Sequence, residues 1–124
     1  VELDIHRCAS GELVVIHDDD LDRTTNGIGL VRDASLPELK RLSAGAWFDK
    51  EFSNERLPLL REVLEIFPER MLLNIEIKNA PQIYDGIEED LLAELEGFRH
   101  LNILLSSFDH HCLKRLRALD SKIK

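Results

Sequence analysis

Cysteine, net positive charge and long apolar runs are all scarce in this chain, and each shortage argues against a class of protein. The two cysteines, Cys8 and Cys112, form no Cys-x-x-Cys pattern, so we expect two free thiols and no zinc or redox site. The net charge of −8 argues against sequence-independent binding of nucleic acid or anionic lipid, because binding to either needs a surplus of Lys and Arg. No apolar run approaches the ~18 residues of a membrane span, so we expect no transmembrane segment.

The length of 124 residues, 44% of them hydrophobic, is enough for one domain with its own core and too little for two. No basic and apolar leader precedes Val1, so we expect a cytoplasmic protein. Secretion or export to a periplasm stays open, because the sequence begins inside a predicted strand and its natural N-terminus is expected further upstream.

Acidic and apolar residues alternate at the start of the chain. A strand of period two places Glu2, Asp4 and His6 on one face. Two carboxylates a few ångströms apart repel each other, and a hard metal ion or a buried Lys or Arg relieves that repulsion best. An acidic pair of this kind can equally face solvent on an edge strand, so both readings stay open at this point.

The spacing of the apolar residues predicts four strands, the first two joined by a short turn over residues 8–12 and the later ones separated by helices. Residues 13–16 form a continuous apolar run, and two further strands are predicted over residues 71–78 and 103–108. Helical spacing covers residues 58–67, 87–98 and 113–119. This alternation predicts an α/β domain built around a parallel sheet with right-handed crossovers.

The stretch from 19 to 56 is weakly periodic and rich in turn-forming residues, so we interpret it as a long functional loop. One short helix is expected there, because Ser35 and Glu38 with Pro37 between them match a capping box. That helix is predicted to run about two turns, through Leu42.

A second group of polar residues near a strand end completes a candidate site. Glu76 and Lys78 share a face of the third strand, and the carboxyl ends of strands are where α/β sheets bind ligands. Glu2, Asp4 and Glu76 therefore predict a site for Mg²⁺ or Ca²⁺, with Lys78 able to hold a phosphate oxygen. His17 is the candidate proton donor or acceptor. The alternatives are that Lys78 only forms a salt bridge and that His17 is a hydrogen-bonded turn residue.

Other readings of the polar residues fit the sequence less well. Asp18, Asp20 and Asp22 resemble the start of a calcium loop, but Arg23 and Gly29 stand where an EF-hand needs Gly and Glu. We therefore expect a solvated turn, which Arg23 can pin by a salt bridge. The remaining histidines are expected to contribute little: His6 beyond the rim, and His100, His110 and His111 at the surface.

Several motifs occur in an order that resembles the glycerophosphodiester phosphodiesterase family over nearly the whole chain. They are Glu2-Leu3-Asp4, the run 13–18 ending in His17-Asp18, Leu21 to Gly27, Leu57-Pro58-Leu59, Asn74 to Lys78, and Ser106-Ser107-Phe108-Asp109. The resemblance implies a TIM barrel that hydrolyses glycerophosphodiesters to glycerol 3-phosphate and an alcohol, with a divalent cation.

The resemblance also implies roles for individual residues. Glu2, Asp4 and Glu76 would be metal ligands, His17 one of two acid/base histidines, and Lys78 a residue near the phosphate. Residues 19–56 would correspond to an insertion that sits over the active site.

The chain departs from the family pattern in two ways. It has neither the family's His-Arg-Gly stretch nor its Pro-Glu-Asn-Thr stretch, so one catalytic His, an Arg and a Glu have no counterpart. A closed barrel takes ~250 residues, so residues 1–124 are expected to form one partial barrel of the second to fourth βα units, a fragment whose open sheet edges favour self-association. Two other functions stay open: a metal- and phosphate-binding regulatory module without turnover, and a Schiff-base lyase at Lys78, which crowded carboxylates disfavour.

Overall fold

A computed structural model describes residues 1–124, with four strands in one sheet. The strands are β1 (Glu2–Arg7), β2 (Leu13–Val15), β3 (Leu72–Ile77) and β4 (Asn102–Ser106). Their order in the sheet is β2-β1-β3-β4. β1, β3 and β4 run parallel to one another, as the alternation of strands and helices predicted.

β2 departs from the predicted parallel arrangement, because it pairs antiparallel with β1. The connection between the two strands spans only residues 8–12, and a parallel pair needs a crossover of a dozen residues or more. Gly11 lies in this turn with a φ of +103°, a backbone conformation that favours glycine. The length of the turn therefore decides the direction of β2.

β1 belongs to two different pairings along its length. It pairs with β3 from Glu2 to Ile5, and with β2 from Ile5 to Arg7. The second half of β1 thus projects past the carboxyl end of β3 as a hairpin. β2 returns along it, and the Ile16 amide donates a hydrogen bond to the Asp4 carbonyl at 3.1 Å. This return brings the residue after Ile16, His17, back toward the parallel sheet.

The helices are α1 (Leu36–Leu39), α2 (Leu60–Ile66), α3 (Ile87–Leu95) and α4 (His110–Leu119). All four predicted helices are present with shifted ends. The Ser35 amide donates to the Glu38 carboxylate at 2.7 Å, as the capping box predicted. α1 nevertheless lasts only one turn, because the following amides, of Arg41 and Leu42, bond to carbonyls three residues back instead of four.

The helices α2, α3 and α4 cover one face of the sheet. The odd-numbered strand residues Ile5, Leu73, Ile75, Ile77 and Leu105 are buried on that face in a single apolar cluster with side chains of these helices. The even-numbered residues point to the opposite face, which along β1, β3 and β4 is polar apart from Leu72 and Leu104. These two leucines keep 47% and 38% of their surface exposed.

Residues 19–56 form a smaller layer with its own apolar cluster. Val31 and Leu39 from this stretch pack with Val14 and Ile16 of the β1–β2 hairpin region. Two short 3₁₀ turns, Val31–Asp33 and Lys50–Phe52, interrupt the loop. Its role as an insertion over the active site stays a prediction. Among the helices, none has the length and apolar character needed to cross a bilayer.

Candidate metal and phosphate site

The strand register places the predicted site residues in adjacent rows of the polar sheet face. Asp4 lies opposite Glu76 on β3, and Glu76 lies opposite Ser106 on β4. In the next row Glu2 lies opposite Asn74. Because paired residues of neighbouring strands project to the same face, the period-two reading of the sequence is sufficient to bring these side chains together.

The three predicted ligand carboxylates converge. One oxygen from each of Glu2, Asp4 and Glu76 lies within 4.8 Å of the other two. Glu2 is exposed, whereas Asp4 and Glu76 are half-buried. Carboxylate oxygens at this spacing are the donors that Mg²⁺ and Ca²⁺ prefer, so the residues fit a hard divalent cation.

Lys78 supplies the positive charge next to these carboxylates. Its Nζ lies 2.6 Å from Glu76 Oε1 and 2.9 Å from Asp4 Oδ1. Burial disfavours the charged ammonium, but the hydrogen bonds to Glu76 and Asp4 outweigh burial and raise the pKa of Lys78 above its ordinary value. A protonated lysine is a poor nucleophile, so the geometry speaks against a Schiff-base enzyme.

His17 lies at the end of the returning β2 segment, and 67% of its side chain is exposed. Its Nδ1 donates to the Asp18 carboxylate at 2.6 Å, which leaves Nε2 free for proton transfer. Arg23 holds the other side of Asp18 with hydrogen bonds of 2.6 and 2.8 Å. The hydrogen bonds from Arg23, and to a smaller extent the one from His17, keep the pKa of Asp18 far below its usual range. The expected salt bridge of Arg23 in the acidic turn is confirmed.

His6 is where the sequence reasoning missed a structural role. His6 lies past the last paired residues of β1 and β3, in agreement with the predicted position beyond the rim. The expectation that it contributes little is wrong, because it is completely buried and bonded through both ring nitrogens. Nδ1 contacts the Tyr84 hydroxyl at 2.9 Å, and Nε2 contacts the His17 carbonyl at 3.2 Å. Desolvation lowers the pKa of His6, although the bond to His17 and the nearby Asp19 oppose that change.

Asn79 and Asp109 form a second contact, partly buried, whose pairing the sequence did not predict. Asn79 donates to the Asp109 carboxylate at 2.8 Å and accepts from the Tyr84 amide at 2.7 Å. Asn79 directly follows Lys78, so a strand-end position was its one available signal. The other predictions for polar residues hold: His100, His110 and His111 are exposed, and both cysteines are free.

Comparison with known proteins places this geometry in a family. The glycerophosphodiester phosphodiesterase of Caldanaerobacter subterraneus subsp. tengcongensis is 41% identical over 126 residues, which cover 100% of this chain and 52% of that protein. The crystal structure of glycerophosphodiester phosphodiesterase from Agrobacterium tumefaciens superposes with a TM-score of 0.86 at 32% identity, covering 99% of this chain and 51% of that one.

A phosphodiesterase from Oleispira antarctica, whose structure holds the product sn-glycerol-3-phosphate, superposes with a TM-score of 0.83 at 37% identity. The superposed region covers 99% of this chain and 51% of the Oleispira antarctica chain. The chain thus spans about half the length of the relatives it matches, and its sheet and helices form part of a TIM-type α/β barrel. The sequence profile of the glycerophosphoryl diester phosphodiesterase family matches residues 1–124. The chain therefore belongs to the glycerophosphoryl diester phosphodiesterase family.

Proposed function

We propose that this chain carries the metal- and phosphate-binding half of a phosphodiesterase active site that hydrolyses glycerophosphodiesters to glycerol 3-phosphate and an alcohol. The observation that carries this proposal is the convergence of Glu2, Asp4 and Glu76 beside Lys78, in a chain whose whole length matches the family. The product bound in the Oleispira antarctica phosphodiesterase supports a glycerophosphate ligand for the same site.

Glu2, Asp4 and Glu76 would hold the divalent cation, Mg²⁺ or Ca²⁺. Such a cation, when bound, supplies positive charge that offsets the charge of the phosphoryl oxygens. Lys78 would hold a phosphate oxygen as a point charge, and its contacts with two of these carboxylates support a position beside the cation.

His17 would move a proton to or from an oxygen of the substrate through Nε2. Asp18 accepts from Nδ1 and thereby fixes the ring orientation, while Arg23 fixes Asp18. A carboxylate that holds Nδ1 in this way keeps Nε2 available for the proton transfer proposed for His17. Residues 19–56 would contribute to the substrate pocket as the insertion over this site.

A second candidate function is a metal- and phosphate-binding module without turnover. One observation favours it. The family resemblance implies acid/base hydrolysis by two histidines, and of the two histidines in the β1–β2 hairpin region only His17 has a free ring nitrogen. His6 is occupied by two buried hydrogen bonds, and the other three histidines are exposed, as expected for surface residues.

The test measures glycerol 3-phosphate release from glycerophosphocholine and glycerophosphoethanolamine, with and without added Mg²⁺ or Ca²⁺. Turnover that requires the metal supports the phosphodiesterase. His17→Ala is then expected to lower kcat by ~10²-fold or more, the usual scale of acid/base catalysis. His111→Ala, which removes an exposed imidazole, is the matched control and should leave kcat unchanged.

Calorimetry separates the two candidate functions when no turnover occurs. Binding of Mg²⁺ or Ca²⁺ that weakens about tenfold or more in Glu76→Gln supports the binding module. Glu65→Gln, an exposed acid on α2, serves as control. A chain that neither turns over substrate nor binds either cation would contradict both proposals.

A further inference from the structure

Two buried side chains connect the backbone that carries His17 to the rest of the fold. His6 on β1 has no exposed surface, and it lies 3.2 Å from the His17 carbonyl through Nε2. On its other side Nδ1 lies 2.9 Å from the hydroxyl of Tyr84, which is 4% exposed. We propose that His6 and Tyr84 are positioning residues that hold the His17 backbone, and so set where its imidazole acts.

For a neutral His6 ring the hydrogen-bond chemistry of this pair allows one arrangement, and the Asp19 carboxylate lies farther from Nδ1, at 3.8 Å. A carbonyl oxygen only accepts, so the Nε2 atom of His6 must carry the hydrogen that the His17 carbonyl receives. In the neutral ring Nδ1 is then an acceptor, and the hydroxyl of Tyr84 donates to it. The His17 carbonyl therefore requires the Nε2–H tautomer of His6, and the Tyr84 hydroxyl supplies the donor that this tautomer needs at its buried Nδ1, which a packing role alone would not require.

Tyr84 is itself held by a continuation of the same chain of contacts. Its amide donates to Asn79 Oδ1 at 2.7 Å, and Asn79 Nδ2 donates to Asp109 at 2.8 Å. Asn79 is 1% exposed, so an unmade bond here would leave a buried polar group unpaired. His17 is thus tied through His6 to the ends of β1 and β3 and to the start of α4.

The exposed imidazole of His17 needs such an anchor. Its one side-chain hydrogen bond goes to Asp18, the next residue on the same loop, so that bond orients the ring without fixing the loop. The loop is held to the sheet by the bond from the Ile16 amide to the Asp4 carbonyl and by the bond from His6. This inference rests on the acid/base role proposed for His17.

Three substitutions separate positioning from packing. His6→Leu keeps much of the buried volume and removes both hydrogen bonds, and Tyr84→Phe removes only the hydroxyl. His6→Gln places an amide N–H near the position of Nε2, so it can still donate to the His17 carbonyl. Leu91→Val, a buried change on α3 that removes none of these hydrogen bonds, is the control for a general loss of core packing.

Nuclear magnetic resonance on the 124-residue chain provides readouts that need no turnover. Nitrogen-15 shifts report the tautomer of His6, and relaxation reports backbone order at residues 17–19. We expect the Nε2–H tautomer and an order parameter near ~0.85 in the wild type, falling toward ~0.6 in His6→Leu and Tyr84→Phe. His6→Gln is expected to stay ordered, and Leu91→Val to match the wild type.

Kinetics add a second readout wherever the chain turns over substrate. We expect kcat to fall about tenfold or more in His6→Leu and Tyr84→Phe, because a misplaced catalytic group slows the chemical step. KM should change less than about twofold. His6→Gln should recover most of the lost kcat.

An Nδ1–H tautomer of His6, or a loop that stays ordered in Tyr84→Phe, would overturn the inference. So would a His6→Gln chain as disordered at residues 17–19 as His6→Leu. If His6→Leu does not fold, the Tyr84→Phe and His6→Gln variants still test whether the two hydrogen bonds hold the loop. A wild-type chain without turnover would count against the proposed hydrolysis and leave the tautomer and relaxation results intact, so the two failures are distinguishable.

Discussion

Lys78 determines how the three carboxylates coexist on one sheet face. Without a cation nearby, Glu2, Asp4 and Glu76 would repel one another at the distances observed. The ammonium group of Lys78 contacts two of them and carries a raised pKa, so it stays charged at neutral pH. The salt bridge of Lys78, which the sequence offered as an alternative to a role in phosphate binding, is therefore present. It is compatible with that role.

Replacement of Lys78 by Met is expected to destabilise the fold by about 1–3 kcal/mol in the absence of divalent cations, because it leaves Asp4 and Glu76 without their partner. Added Ca²⁺ or Mg²⁺ should restore much of the loss, since a ligand that binds only the native state stabilises it. Urea denaturation with and without the cation measures both effects. Lys50→Met, on an exposed turn, is the control, and equal stability of the two variants would contradict the prediction.

Tyr84 is the one tyrosine of the chain, so its ionisation can be followed without interference from another phenol. Burial, with the charge of Asp19 adding to it, raises the pKa of Tyr84 to about 12 from an ordinary 10.0. The stability that this burial contributes is complete below pH 10.0 and is lost as the pH rises through about 12.

We therefore expect the phenolate absorbance of the folded chain to appear near pH 12. In denaturant the same signal should appear near pH 10.0, because the unfolded phenol is solvated. Spectrophotometric titration measures both midpoints. A folded midpoint at the ordinary value would show that the Tyr84 hydroxyl is open to water, contrary to the contact with His6.

At the scale of elements, the β1–β2 hairpin decides where the backbone at His17 lies. The sequence predicts His17 at a strand end that shares a rim with the other strand ends. In the structure β2 instead runs back along β1, so that Ile16, the residue before His17, bonds to the backbone of Asp4. An apolar run shows that a strand is buried, whereas strand direction depends on the length of the connecting turn.

The N-terminus of α4 depends on Asp109, whose carboxylate serves two elements. Oδ1 accepts from the His111 amide at 2.9 Å as a helix cap, and Oδ2 accepts from Asn79. Although burial opposes it, hydrogen bonding from Asn79 and from helix amides lowers the pKa of Asp109. This cap explains why α4 begins at His110, three residues before the predicted start at 113.

Asp109→Ala is expected to cost about 1–2 kcal/mol of unfolding free energy, the usual range for the loss of an N-cap. Asp109→Asn keeps an acceptor for the His111 amide and should cost less. Urea denaturation of both variants measures the difference. Asp49→Ala, which removes the cap of an exposed 3₁₀ turn, is the matched control. If Asp109→Ala cost no more than this control, the link between β3 and α4 would carry no stability.

At the scale of the whole molecule, the sheet is an incomplete barrel wall. Backbone groups from elsewhere in the chain partly cover its outer strands. The Val15 amide of β2 donates to the Pro58 carbonyl at 2.9 Å, and the Leu105 amide of β4 donates to the Lys124 carbonyl at 2.8 Å. The expectation of fully open edges is therefore too simple. Leu72 and Leu104, however, remain exposed on the polar face that a closed barrel would enclose.

We expect the chain to self-associate as its concentration rises, because an exposed sheet face with apolar residues and partly unpaired edges favours contact with another copy. Sedimentation velocity over a concentration series measures this. Leu104→Lys should weaken the association, whereas Leu119→Lys, which changes a leucine on α4 that is more exposed, should not. A monomer at every concentration would contradict the prediction.

The sequence by itself determined the local features of this protein. Alternation of polar and apolar residues placed Glu2 with Asp4, and Glu76 with Lys78, on one face of their strands. Helical spacing located three helices and a capping box the fourth, because these signals depend on near neighbours along the chain. The family motifs added the partial barrel and the prediction of a shared site for these residues.

Only the tertiary structure decided how distant residues meet. The contact between His6 and Tyr84 joins residues 78 positions apart, and the direction of β2 depends on which strand it pairs with. No periodic pattern records such pairings, since they arise when the chain closes buried hydrogen bonds that would otherwise be left unpaired. The position of His17 belongs to this second class, because a buried histidine and tyrosine far apart in sequence hold its backbone.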